Sequence, residues 1–138
     1  MMDTIITRYC YSAAIIRPED GALLIVQRAS HETSFAGHWE LPGGHAEKGE
    51  SILNTLRRKV REETKLDIYV PALDPYFGFV YDAGKLELHF IVHAEGEPVL
   101  NPKEHQAFQW IVDKAQLDGL PISPTMRQSL EQALGRAR

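Results

Sequence analysis

Gly44-His-Ala-Glu-Lys-Gly-Glu50, followed after seven residues by Arg58-Lys-Val-Arg-Glu-Glu-Thr-Lys-Leu66, is the stretch on which the fold turns. Pro42-Gly43-Gly44 at its head forces a break in regular structure. Glu50-Ser51 then supplies polar starters for a helix over 51–66, in which Ile52, Leu53, Leu56 and Val60 recur at intervals of three and four. That spacing makes one buried stripe. At about 100° per residue, Glu62 and Glu63 are neighbours on a side of the helix away from Leu53, Leu56 and Val60. Glu47 and Glu50 add two more carboxylates beside the glycine-rich turn. Glycine tolerates the dihedrals needed to bring backbone carbonyls close to that acidic side. Carboxylates and a backbone carbonyl are the oxygen donors that a hard divalent cation such as Mg²⁺ or Mn²⁺ takes. Paired glutamates are equally the ordinary make-up of a solvated helix face, and taken alone they favour that reading.

Outward from this helix the chain alternates β-forming runs with turns. Before it, 8–17 and 22–27 read as two strands joined through Pro18-Glu-Asp-Gly21, which predicts a hairpin. The polar stretch 29–37 reads as a surface loop. After the helix, 67–70, 76–81, 86–92 and 106–112 are strand candidates, with Asp82-Ala-Gly84 as the turn between two of them. Ser123-Pro124 opens a last helix with an N-cap and proline at the first helical position, and Met126, Leu130, Ala133 and Leu134 form its apolar face. No repeat or low-complexity linker interrupts this order, which predicts one mixed α/β layer structure with helices on the sheet faces.

The chain has 138 residues, the size of one domain, with 43% hydrophobic and 25% charged residues. That composition excludes disordered, collagen-like and membrane classes. A net charge of −4 and the lack of a basic run argue against nucleic acid and anionic lipid as partners. An anionic ligand must then be met by local cations or by a bound metal. The single cysteine, Cys10, permits no internal disulfide and no cysteine-based metal site. The first seven residues carry Asp3 where a signal peptide would be basic, and no run approaches the roughly 18–20 apolar residues that span a bilayer, so the cytosol is the expected setting.

Residue by residue, the opening stretch resembles the Nudix box: glycine, five residues, glutamate, seven residues, then Arg-Glu-aliphatic-any-Glu-Glu-any-Gly-aliphatic. Gly44, Glu50, Arg58, Val60, Glu62, Glu63 and Leu66 fall on it, seven of nine defined positions over 23 residues. The strand and helix order on both sides is similar as well. The resemblance implies an α/β protein, a single Nudix-type α/β/α sandwich over 1–138 with a mixed β-sheet between helices. It also implies metal-dependent hydrolysis of a nucleoside diphosphate linked to a further group. A nucleoside triphosphate, oxidised forms included, is the preferred substrate, cleaved to monophosphate and pyrophosphate. The implied cofactor is Mg²⁺ or Mn²⁺, the implied partner is the nucleotide, and a homodimer is left open.

Site residues follow from the same resemblance. Metal ligands would be Glu62, Glu63, Glu47, the Gly43 carbonyl and Glu104, the last in a distal loop before a Trp-bearing strand. Arg58 would orient glutamates through charge-assisted hydrogen bonds, and Glu50 reads as mainly structural. Arg28 would contact substrate phosphate, and Trp39, Phe35 and Phe77 are candidates to line a base pocket. The histidines His45, His89, His93 and His105 show no metal-ligand spacing. Two positions depart from the pattern. Lys65 stands where a glycine would end the helix, at a cost of roughly 1 kcal/mol if the terminus is left-handed. Lys59 replaces the first glutamate of the run, a metal ligand or general base in relatives, and shifts the local charge by two. The chain either works with fewer metals or retains nucleotide binding as a catalytically impaired module; Lys59 is accordingly expected in the catalytic set with Arg58, Glu62 and Glu63, with contact to the leaving phosphate as one role.

Overall fold

The structure, a computed structural model, describes residues 5–137; part of the N-terminal stretch read for targeting, Asp3 included, lies outside them. Along the chain run β1 (Arg8–Ile16), β2 (Leu23–Arg28), β3 (Trp39–Glu40), β4 (Gly43–His45), α1 (Ile52–Thr64), β5 (Phe77–Tyr81), β6 (Lys85–His93), β7 (His105–Ile111) and α2 (Pro124–Arg136). A short 3-10 turn at Lys114–Leu117 precedes α2. The seven strands form one mixed sheet. β1 lies at its centre, parallel to β6 in unbroken register from Arg8 opposite Lys85 to Ile16 opposite His93. β5 closes antiparallel on β6 through the three-residue turn Asp82–Gly84, whose members all have positive φ.

The other edge of β1 is shared. Cys10, Tyr11 and Ser12 pair antiparallel with β4, and only Ile16 pairs with β2, at Leu23. The hairpin expected between the first two strands is therefore closed only at its turn, where the Arg17 amide donates to the Ala22 carbonyl at 2.8 Å. β4 occupies the rest of that edge because Gly43 has no side chain: a Cβ there would lie 2.4 Å from the Tyr11 carbonyl. Displaced from β1, β2 pairs with β7 and β3 instead. The strand expected at 67–70 is reduced to one bridge, in which Tyr69 and His93 exchange both backbone bonds. Pro71 has no N–H to offer at the next paired position, so the ladder stops there.

Alternation along β1 sends Tyr11, Ala13 and Ile15 to one face and Ala14 and Ile16 to the other. Leu56 and Val60 of α1 pack on the first with Phe90 and Val92. Leu130, Ala133 and Leu134 of α2 cover the second with Leu23, Ile25 and Ile111. The mixed sheet between helices is thus present, and each fully buried aliphatic side chain contributes about 1.5–3 kcal/mol to it. Ser51 caps α1, its Oγ accepting from the Asn54 amide at 3.1 Å. Lys65 ends it in the left-handed region at φ 63°, its amide donating to the Arg61 carbonyl. Among the described residues no helix is long and apolar enough to cross a membrane.

Candidate active site

The loop between β4 and α1 is fastened by one carboxylate. Glu50 receives two bonds from Arg58, Nε at 2.8 Å and Nη2 at 2.9 Å, one from the Thr55 hydroxyl and one from the Glu47 amide. Charge-assisted bonds of this forked kind are the strong ones. They hold the Glu50 carboxyl down to about 2, with Arg58 as the main cause. Arg58 donates again to the His45 carbonyl, and its Nη1 reaches Glu62 at 3.3 Å. Arg58 therefore touches Glu50 and Glu62, and Glu50 is taken up by hydrogen bonds within the loop and α1. The side chain of Glu47, expected as a metal ligand, is instead 71% exposed, and its one ion pair among the described residues is with Arg58, at 3.8 Å. Its place in a solvated loop keeps it out of the acidic cluster described next.

That cluster gathers from three elements. Glu63 of α1 is buried beneath β4 and accepts from the Gly43 amide at 3.4 Å. It is thus the amide of Gly43 that meets the cluster's central carboxylate. Glu104, just before β7, and His105, its first residue, join Glu63 with ligand atoms all within 4.8 Å of one another. Glu104 closes the turn that starts at Asn101, whose carbonyl accepts from the Glu104 and His105 amides, so strand alternation does not separate the two. The β2–β7 register shifts at His105, between its partner Arg28 and Gln27. His105 Nε2 lies 2.9 Å from Glu40 Oε2 and, facing an acceptor-only carboxylate, carries the proton. Nδ1 is then the lone-pair nitrogen, and it points to Glu63 Oε1 at 3.7 Å. A carboxylate fixing the far nitrogen of an imidazole is how metal-bound histidines are usually oriented.

Lys59 enters the same cluster from α1. Its Nζ lies 3.3 Å from Glu62 and 3.7 Å from Glu63, with the side chain only 16% exposed. The stem passes over Gly44, where a Cβ would come within 2.4 Å of Lys59 Cε. Desolvation disfavours the ammonium, but Glu63, Glu104 and Glu62 together outweigh it and leave its pKa raised. Burial pushes Glu63 up to about 8 although Lys59 and the Gly43 amide oppose it; Glu104 and Glu40 add to the rise. One ammonium does not compensate the carboxylates around it. Glu63 Oε2, Glu104 Oε2 and His105 Nδ1 are moreover buried without a hydrogen-bond partner. Orphaned buried acceptors of this kind fit a divalent cation, held by Glu63, Glu104 and His105. Carboxylates suit Mg²⁺ or Mn²⁺, and the imidazole draws the set toward softer ions. Glu62, 47% exposed and paired with Arg58 and Lys59, stands at the rim.

His105 and Glu40 were not expected. No local spacing marks them, since sheet register and the irregularity opposite bring them together. The substrate-side candidates separate. Arg28 lies beside the cluster, donating to the Ser34 carbonyl and facing Glu40 at 3.6 Å. Trp39 does not line a pocket: it is 6% exposed and packed in the core under α2, where so large an apolar ring gains most. Phe35 is exposed, edge-on to His38. Phe77 is half-buried on the α2 side of the sheet, 5.3 Å from His89.

The family model for the NUDIX domain matches residues 9–132. The chain belongs to the Nudix family. By class this Nudix protein is a pyrophosphohydrolase. It is similar to the nucleoside triphosphatase NudI of Escherichia fergusonii, 33% identical over 114 residues that cover 72% of this chain and 80% of that protein. Among solved structures, a MutT NUDIX hydrolase from Burkholderia pseudomallei is 30% identical with a TM-score of 0.69, over 91% of this chain and 96% of the other. A MutT protein from Methanosarcina mazei Go1 shares the fold, with a TM-score of 0.75 over 99% of both chains at 20% identity.

Proposed function

We propose that this Nudix protein hydrolyses a nucleoside triphosphate to the monophosphate and pyrophosphate with the help of Mg²⁺ or Mn²⁺. The observation that carries the reading is the set Glu63, Glu104 and His105, whose ligand atoms lie within 4.8 Å of one another and which includes three buried atoms without a hydrogen bond. NudI, a nucleoside triphosphatase by name, supports the substrate class. A bound divalent cation would neutralise the phosphoanhydride and make its phosphorus more electrophilic. This chain's own residues do the rest. Glu40 holds the His105 ring in place, and the Glu50–Arg58 clamp fixes the loop that leads into α1. Arg28, at the end of β2, contributes a cation for the phosphates, a role it shares with Lys59. Lys59 supplies a fixed positive charge within the carboxylates, so the site needs fewer metal ions than an all-glutamate helix face would.

Lys59 also favours a second reading, a nucleotide-binding module without turnover, because its ammonium occupies the space between Glu62 and Glu63. The test is a panel of nucleoside triphosphates with Mg²⁺ or Mn²⁺, products separated by ion exchange, with Lys59→Glu run beside the unmodified chain. Monophosphate and pyrophosphate from the unmodified chain, stopped by EDTA, is the expected result. Turnover by Lys59→Glu alone establishes the second reading. Release of orthophosphate and a diphosphate overturns the reaction proposed.

A further inference from the structure

One donor of the buried set is not an oxygen. Glu62 is taken up at the rim by Arg58 and Lys59. Glu63 and Glu104 remain as the carboxylates inside, with the His105 imidazole beside them. That ring is fixed from behind. β3 has two residues, and alternation sends their side chains to opposite faces. Trp39 packs in the core under α2, while Glu40 reaches His105 Nε2 at 2.9 Å. The same Glu40 oxygen lies 3.6 Å from Arg28 Nη1, so the carboxylate that meets the ring is itself ion-paired. β3 is held in turn by β2 at Val26 and Gln27, and by the Trp39 amide donating to the Pro121 carbonyl. The direction of His105 Nδ1 is therefore set before any ligand arrives, in a side chain only 3% exposed.

Hard and later divalent ions differ in what they gain from such a set. Mg²⁺ takes oxygen donors in near-ideal octahedral geometry, sheds water reluctantly and usually keeps several waters. Here Glu63 Oε2, Glu104 Oε2 and His105 Nδ1 are all shut off from solvent, so an ion that reaches them gives up water on that side. Imidazole nitrogen suits first-row transition ions, with affinity rising from Mn²⁺ through Co²⁺ to Ni²⁺. Lys59 acts in the same direction. Its ammonium, 3.7 Å from Glu63, offsets the negative charge on which a purely electrostatic binder such as Mg²⁺ depends.

We infer that His105, oriented by Glu40, ligates the cation through Nδ1 and makes the site select a first-row transition ion, Mn²⁺ or a later one, over Mg²⁺. The inference rests on the divalent cation of the proposed hydrolysis and narrows that cation to one class. His105 determines the specificity, and Glu40 is a positioning residue that acts through it.

Metal binding tests this without turnover. Spin-echo spectroscopy of Mn²⁺ on the unmodified chain is expected to show modulation from a directly bonded nitrogen. His105→Asn, which presents an amide oxygen near the place of Nδ1, is expected to abolish it. In calorimetry with the metal chlorides alone, His105→Asn should weaken Mn²⁺ and Co²⁺ at least about tenfold and Mg²⁺ less than about threefold. Glu40→Ala frees the ring and should weaken Mn²⁺ about 10–100-fold. Glu40→Gln keeps an acceptor for Nε2–H and should recover most of that loss. On the unmodified chain, absence of nitrogen modulation, no binding of Mn²⁺, or tighter binding of Mg²⁺ than of Mn²⁺ overturns the inference without recourse to any variant. Equal losses of Mn²⁺ and Mg²⁺ in a folded His105→Asn do so as well. Nitrogen ligation without monophosphate and pyrophosphate from any triphosphate leaves the ligand assignment standing and fells the proposed reaction. Hydrolysis as fast with Mg²⁺ as with Mn²⁺, and no nitrogen modulation, does the reverse.

Discussion

Lys59 places an ammonium 3.3 Å from Glu62 and 3.7 Å from Glu63, with its stem lying over Gly44. Exchanging it for glutamate alters the charge at that point by two units, in surroundings where water screens little. Lys59→Glu is therefore expected to bind Mn²⁺ at least about tenfold more tightly in calorimetry than the unmodified chain; equal affinities would show that the ammonium lies outside the field of the cation. Cys10 gives a second expectation. The thiol is 8% exposed, and burial, with Glu87 next, pushes it far above its usual range, so it is a poor thiolate. An aromatic disulfide reagent should leave the folded chain unlabelled over hours and label one thiol promptly in urea; fast labelling without urea would contradict the burial. At this scale the sequence discloses what local spacing controls. Glu50, Arg58 and Glu63 lie within one turn-helix stretch, and their geometry follows from the helix period. Glu40 and His105 meet across 65 positions, and no periodicity encodes such a meeting. Trp39 has the same type and neighbourhood as a pocket residue, and only the packing of α2 decides that it is core.

The helix α1 is bounded by residues whose energetic signs differ. Ser51 is a favourable N-cap, but Lys65 closes the other end at φ 63°, a conformation that costs a side-chain-bearing residue about 1 kcal/mol. Lys65→Gly should stabilise the fold by up to about that amount in urea unfolding; a loss of stability would mean that the lysine side chain contributes more than its backbone costs. The Glu50–Arg58 clamp adds a pH dependence. Glu50 is held at about 2 against an ordinary 4.5, so its folded form is the more acidic one. Its contribution is complete above the unfolded value and is lost as pH falls through the folded one. Between pH 4.5 and 2 the urea midpoint of Glu50→Gln should therefore fall less steeply than that of the unmodified chain, and parallel curves would exclude the clamp as a source of acid sensitivity. Both helices and the turn at Asp82–Gly84 were legible, because caps and turn residues act locally. The hairpin was half right for a physical reason: Pro18–Gly21 closes the turn, but which strand lies along β1 is decided by β4 and its glycines far downstream.

In the whole molecule, α2 is tied to the sheet through Tyr76, Ser129 and His89. Ser129→Ala leaves a buried ring nitrogen and a buried phenol without their partner, a loss of about 1–3 kcal/mol. Chemical denaturation measures it; an unchanged midpoint would mean that the two groups find each other or water. The parallel pairing of β1 with β6 has a different kind of effect. Each contact in that central ladder joins positions 77 residues apart, so loop closure must be met before any of it is rewarded. A growing polypeptide leaving the ribosome has already released the apolar β1 and β2 long before Lys85–His93 exists to receive the former. During synthesis those strands are expected to stay unpaired and aggregation-prone, with maturation a late event once β6 has emerged.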